Sequence, residues 1–361
     1  MQLVLKPDWE MSQERYKAWW QREIVDRPLL LAWSRRPEPA YAVEPLPPAR
    51  TPQEKWMHAD LRAGAFESSA VWSYYGGDAF PYFDTNVGPG SYALFLGARP
   101  GFDWETVWFH SCIADMTKAP LPEYDRANPW WQQSLDIVKA GARLRGKALT
   151  SFPDLVEGLD ILASLAGATE TLLALVDTPE RVHAFLGRIT DLYFAYYDRL
   201  ADIVRDDDGG TCFSAFHIWG PGRTAKLQCD FSAMIGPKMF DEFVAPYLSA
   251  QADRLDNVIY HLDGPDAICH LDSLLGIPGI NAIQWTPGTG QESLGDARWT
   301  PLYRRVRASG KGLVLLGVSP AEAERLTREL GPEGLMLGCS TSTPEEADAL
   351  VAASKDWKKE G

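Results

Sequence analysis

The chain has no run of basic residues, no two cysteines spaced as CxxC, and no apolar stretch near the roughly 18 residues of a membrane helix. Each absence excludes a class. With 49 acidic against 35 basic residues and a net charge of −14, the chain is a poor match to nucleic acid, whose affinity rests on phosphate neutralisation. The five cysteines (Cys112, Cys212, Cys229, Cys269, Cys339) are odd in number and widely spaced. That fits a reducing compartment better than a disulfide framework. The opening segment carries charges and Pro7 where a signal peptide needs an apolar region. A cytoplasmic protein with no membrane association is expected. GxSxG, HExxH, a phosphate-loop GKS/GKT and a GxGxxG following a strand are also missing, so the common hydrolase, metalloprotease and nucleotide signatures do not apply.

What is present is aromatic. Fourteen Trp, 13 Tyr and 14 Phe imply a thick aromatic core or an aromatic pocket. A hydrophobic share of 45% with 23% charged residues is that of a globular chain. Residues 8–24 read as a helix, LLLAW (29–33) as a buried strand, 37–52 as a proline-rich passage and 53–72 as helix. The Gly- and aromatic-rich stretch 74–111 reads as a packed insertion or a lid. From about residue 130 a regular rhythm sets in. ALTSF (148–152), TCFSAFHI (211–218), VIYHL (258–262), NAIQW (281–285), GLVLLG (312–317) and GLMLGC (334–339) are strands, each followed by a helical pattern. With LLLAW and one strand from the aromatic region they make eight, which predicts a single (β/α)8 TIM-type barrel over 1–361. Residues 1–130 are then an irregular aromatic-rich N-terminal extension over its C-terminal face, and 131–361 the regular units. A doubly wound open sheet is the alternative.

In such a barrel chemistry sits where the strands end. Those ends carry Ser151 and Asp154, His217 and Trp219, His261 and Asp263, Gln284 and Trp285, Gly317, then Cys339 and Ser340. Alternation puts His261 and Asp263 on one face. An imidazole beside a carboxylate serves as an acid/base pair or as two metal ligands, and Asp263 would equally cap the helix entered through Pro265. Residues 219–237 read as a glycine-bearing loop holding Gln228, Cys229 and Asp230, with Asp230 a site residue or a helix cap. Trp219 and Trp285 are candidates for stacking on a ligand. The expected catalytic set is Asp230, His261 and Asp263, with Trp219, Gln228, Gln284 and Trp285 binding a small polar substrate.

The order DFSAMIGPKMFDEFVAPYL, VIYHLDG, INAIQW and GLMLGC with TPEEADAL, together with the opening PDWEMSQERYKAWWQREIVDRPLLL, resembles the uroporphyrinogen decarboxylase superfamily, which includes corrinoid-dependent methyltransferases. The resemblance implies a methyltransferase-like enzyme, with no built-in cofactor, cobamide carried by a separate corrinoid protein, and a homodimer. In thiol-methylating members a His-x-Cys pair and a distant Cys hold zinc, which implies zinc on His261, Asp263 and Cys339 here, with Asp in place of the first cysteine. The decarboxylase binds its substrate with arginines and a carboxylate, for which Arg35, Arg36 and Asp84 or Asp230 are the available residues. A lyase or hydrolase working through an Asp/His pocket without corrinoid is the alternative function, and a non-catalytic ligand-binding barrel the third.

Overall fold

The computed structural model describes residues 2–156 and 158–359. Its strands are β1 (Leu29–Arg35), β2 (Ser73–Gly77), β3 (Tyr82–Phe83), β4 (Arg99–Phe102), β5 (Val107–His110), β6 (Leu149–Phe152), β7 (Gly210–Phe213), β8 (Ile218–Pro221), β9 (Thr224–Gln228), β10 (Asn257–Asp263), β11 (Ala282–Thr286), β12 (Gly312–Leu316) and β13 (Leu335–Ser340). A seven-stranded sheet runs β2-β1-β13-β12-β11-β10-β9, parallel except for the antiparallel edge pair β1/β2. A second sheet runs β3-β6-β7-β8, with β8 folding back antiparallel on β7. β4 and β5 form a separate hairpin. The expected strand–helix alternation and parallel sheet are present. The ladder is not continuous around a ring, because the two sheets share no backbone pairing. At one junction a side chain stands in: the Thr211 hydroxyl of β7 accepts from the Thr224 N–H of β9 at 3.2 Å and donates to the Gly222 carbonyl at 2.8 Å.

The expected single strand 211–218 is broken. Phe216 and His217 both adopt the left-handed conformation (φ 62° and 54°), which reverses the chain and sends β8 back along β7. Two adjacent left-handed residues that are not glycine are costly, and such strain persists where the surroundings impose it. The expected loop 219–237 accordingly begins with β8 and β9. The polar residues of TAKLQ alternate inward while Ala225 and Leu227 pack outward, so β9 alternates in the reverse sense to a strand with an apolar inner face. The expected long helix 237–255 is likewise two, Pro237–Phe243 and Ala245–Ala252. Pro246 lacks the N–H that would continue the first into the second.

Three helices of the first part matter below: α1 (Trp9–Trp20), α2 (Pro52–Met57) and α3 (Ala59–Ala70). α1 joins the two sheets. Tyr16 donates to the His217 carbonyl at 2.8 Å and Trp20 to the Trp219 carbonyl at 2.9 Å, while Arg15 reaches Asp78 in the β2–β3 connection at 3.4 Å. The stretch 74–111 packs into the core: all four residues of Tyr92–Phe95 are buried, and the Tyr92 hydroxyl donates to the Ile189 carbonyl. One apolar core runs from Leu3 to Trp357, so residues 1–130 share the core of the rest. All five cysteines are free. Among the described residues no single helix is long and apolar enough to cross a membrane.

Candidate functional site

Three neighbouring strands set the site. The ladder puts Gln228 of β9 level with His261 of β10, and His261 level with Gln284 of β11. The pleat aims these three side chains to the same face, and Asp263 follows two residues after His261. Asp230 opens the tight turn Asp230–Met234 directly after β9. Ligating atoms of Asp230, His261 and Asp263 all lie within 4.8 Å of one another. Neither aspartate caps a helix as the alternative reading allowed: the turns at Asp230–Met234 and Pro265–His270 show no side-chain cap.

Hydrogen bonds fix the imidazole. The Gln284 amide donates to the Trp285 carbonyl at 2.8 Å and to the Thr286 hydroxyl at 2.9 Å. Its oxygen is therefore the atom facing His261 Nδ1, and Nδ1 must carry the proton. Nε2 is left with its lone pair free for a proton or a metal. Burial, and then the nearby Lys226 ammonium, hold the imidazole below its ordinary range, so it is neutral at pH 7. Phe216 packs on the ring at 4.8 Å, which gives the left-handed turn a purpose: it delivers this side chain to His261.

Lys226, inward-facing on β9, is almost wholly buried and lies 2.5 Å from Asp154; it also donates to Gln228. Gln228 in turn donates to Asp230 at 3.1 Å. Burial is the main force raising the Asp230 carboxyl; Lys226 opposes it, and Asp263 and Asp154 add to it. Asp160 anchors Asp230 from below by accepting the backbone N–H groups of Asp230 (2.9 Å) and Phe231 (2.8 Å). Burial first and Asp230 second push the Asp160 carboxyl from 3.8 up to about 6. A cavity of about 320 Å³ opens here against Asp160, Gln228, Asp230 and Met234.

Asp160 has a measurable consequence. An acid whose folded pKa is raised binds more protons folded than unfolded between the two values, so stability falls as pH rises through that window. The urea midpoint is expected to decline from about pH 4 to about pH 6, and Asp160→Asn is expected to flatten that slope. An unchanged slope in the variant would remove Asp160 as its source.

Three expected site residues lie elsewhere. Trp219 is 1% exposed and sits edge-on to Trp9 and Tyr16 at 5.7 and 6.1 Å, with its indole N–H on Asp206 at 2.8 Å. It is core. Trp285 alternates to the opposite face from Gln284 and packs on Trp299 at 5.0 Å, so it fills the layer between sheet and helices. Cys339 is fully buried on the outer face of β13. Burial, then Glu322 of the helix Pro320–Leu330, push its thiol up to about 12, and it is absent from the Asp230–His261–Asp263 group. The thiolate required for the expected zinc set is thus turned away; three oxygen and nitrogen donors remain, a harder set.

His217 does reach the inner face, with its ring 4.6 Å from Trp33 and Nδ1 2.7 Å from the Tyr82 hydroxyl. Burial lowers its pKa to about 4. Asp84 is exposed and its carboxylate accepts from the Asn86 N–H at 2.8 Å. Arg35 lies over Trp72, and Arg36 over Tyr74. Lys226, Asp160, Phe216 and Tyr82 escaped the sequence reading. Only Lys226 left a trace, as a lysine at an inward position of an alternating segment.

No protein-family model and no curated protein matches the chain.

Proposed function

We propose that the chain is an enzyme acting on a small polar molecule by acid–base chemistry at Asp230, His261 and Asp263, in the lyase or hydrolase class. The observation that carries this is the convergence of the three groups around an imidazole whose tautomer is fixed by Gln284. In this reading the two sheets curve into one barrel of the (β/α)8 type, and the group lies at its C-terminal mouth. His261 Nε2 takes a proton from the substrate and, as imidazolium, delivers it to the departing group, while the Asp230 carboxylate orients the substrate. Asp263 stabilises the imidazolium, and Lys226 with Gln228 holds Asp230 in place.

Methyl transfer, which the family resemblance supports, is the second reading. A thiol acceptor there relies on thiolate-bound zinc, and the outward position of Cys339 weighs against that route. A divalent cation held by Asp230, His261 and Asp263 fits the donors present and would polarise a substrate oxygen. Cobamide would come on a separate corrinoid protein.

The test is a product search with small hydroxy and carboxylic acids, followed by mass for gain or loss of water or carbon dioxide. Turnover by the native protein that disappears in both Asp230→Asn and His261→Ala, with folding intact, is the expected result. Turnover appearing only when methylcobalamin and an acceptor are supplied would overturn it in favour of methyl transfer. Metal quantification after purification without chelator accompanies it: stoichiometric zinc lost in both variants would convert the centre into a cation site.

A further inference from the structure

We infer that the chain has a second ligand site, built for an anionic aromatic small molecule, beside the C-terminal end of β1 and apart from the Asp/His group. A cavity of about 980 Å³ lies there. That is the size range of small-molecule sites. The two places are separate: none of Asp230, His261 and Asp263 lines this cavity, while Ser34, next to the inward-pointing Trp33, stands in its wall. Helix α3, which packs outside the sheet, lines the floor with Arg62 and Phe66, and the proline-rich segment at Leu46–Ala49 forms part of the wall. This separation makes the inference independent of the function proposed above.

Charge identifies the ligand. In a chain of net charge −14 the cavity is lined by three cations, Arg35, Lys55 and Arg62, against one carboxylate, Asp84. Among the described residues none of the three forms an ion pair. Arg62 donates only to the carbonyls of Trp56 and Asp84, and burial lowers its pKa to about 10. Lys55 donates to the Trp104 carbonyl and lies 5.3 Å from the Trp56 ring; Arg35 lies 4.8 Å over Trp72. Backbone carbonyls and ring faces steady these cations without neutralising them, which leaves their charge available to an anion.

A second observation points the same way. The Ser34 hydroxyl is buried at the cavity wall without a hydrogen-bond partner, and a buried hydroxyl is normally satisfied. An anionic oxygen in the cavity would satisfy it. Trp56, Trp72, Trp104 and Phe83 are also in the lining, flat rings that favour a flat apolar body. Together these select a carboxylate carried on an aromatic ring.

The test uses 2-naphthoate and its uncharged analogue 2-naphthamide, titrated calorimetrically into the full chain. Naphthoate is expected to bind saturably and one to one, and the amide about tenfold more weakly. In Arg35→Ala/Lys55→Ala, naphthoate should weaken by about tenfold while the amide changes little. Asp84→Asn removes the one opposing charge and should strengthen naphthoate binding severalfold; it also keeps the test open should the double variant fold poorly. Absence of saturable binding at millimolar naphthoate, equal affinity for the amide, or indifference to these substitutions would each overturn the site.

Discussion

Replacing Asp78 by alanine is expected to lower the unfolding free energy by about 3–5 kcal/mol. Asp78 is fully buried and takes both guanidinium nitrogens of Arg27, at 2.5 and 3.1 Å. It also accepts the Leu30 N–H at 3.1 Å, which fixes the start of β1, and a longer contact from Arg15. Without the carboxylate, Arg27 stays buried with only the Pro28 carbonyl to accept from it, and the Leu30 N–H loses its side-chain partner. An uncompensated buried charge is the costly part, more than the loss of attraction itself. Removing both charges, as in Arg27→Met/Asp78→Leu, is therefore expected to recover much of the loss. Urea denaturation followed by two spectroscopic probes checks this. A single-variant cost below about 1 kcal/mol would show that water reaches the pair.

Trp219→Ala is expected to cost about 3–5 kcal/mol, as large-to-small changes in an aromatic core do. The indole ring fills space against Trp9 and Tyr16 and holds Asp206. Its loss opens a void where α1 seals the two sheets. If Trp219 instead stacked on a ligand, the substitution would weaken binding and leave the urea midpoint nearly in place. The measurement separates the two roles cleanly.

That contrast marks where the sequence was readable. His261, Asp263 and Gln284 could be placed because β10 and β11 are regular and alternate in the ordinary way. Trp219 and Trp285 were misplaced because an aromatic at a strand end looks the same whether it turns toward the helices or toward a ligand; one residue of phase decides it. Cys339 failed for the same reason, its neighbours Gly338 and Ser340 taking the inner face. The split of 211–218 was invisible, since neither Phe216 nor His217 is a residue that announces a left-handed turn. Strand β9 was hidden by its polar inner face, and with it Lys226. Asp160 lies on a helix far along the chain from the turn it anchors, and nothing local announces that pairing. The parallel strand–helix rhythm was legible throughout; the interruptions between the two sheets were not.

The position of β1 has a consequence for how the chain comes to be folded. Its parallel partner is β13, the last strand among the described residues, and its other edge has only the short antiparallel β2. During synthesis the apolar segment LLLAW can therefore pair on one side alone until β13, about 300 residues later, has emerged. Long-range pairing of this kind is slow, and an open apolar edge invites association with other nascent chains. Chains stopped just before β13 are thus expected to accumulate as aggregates or chaperone-bound species, while chains that include β13 close that edge by pairing it with β1.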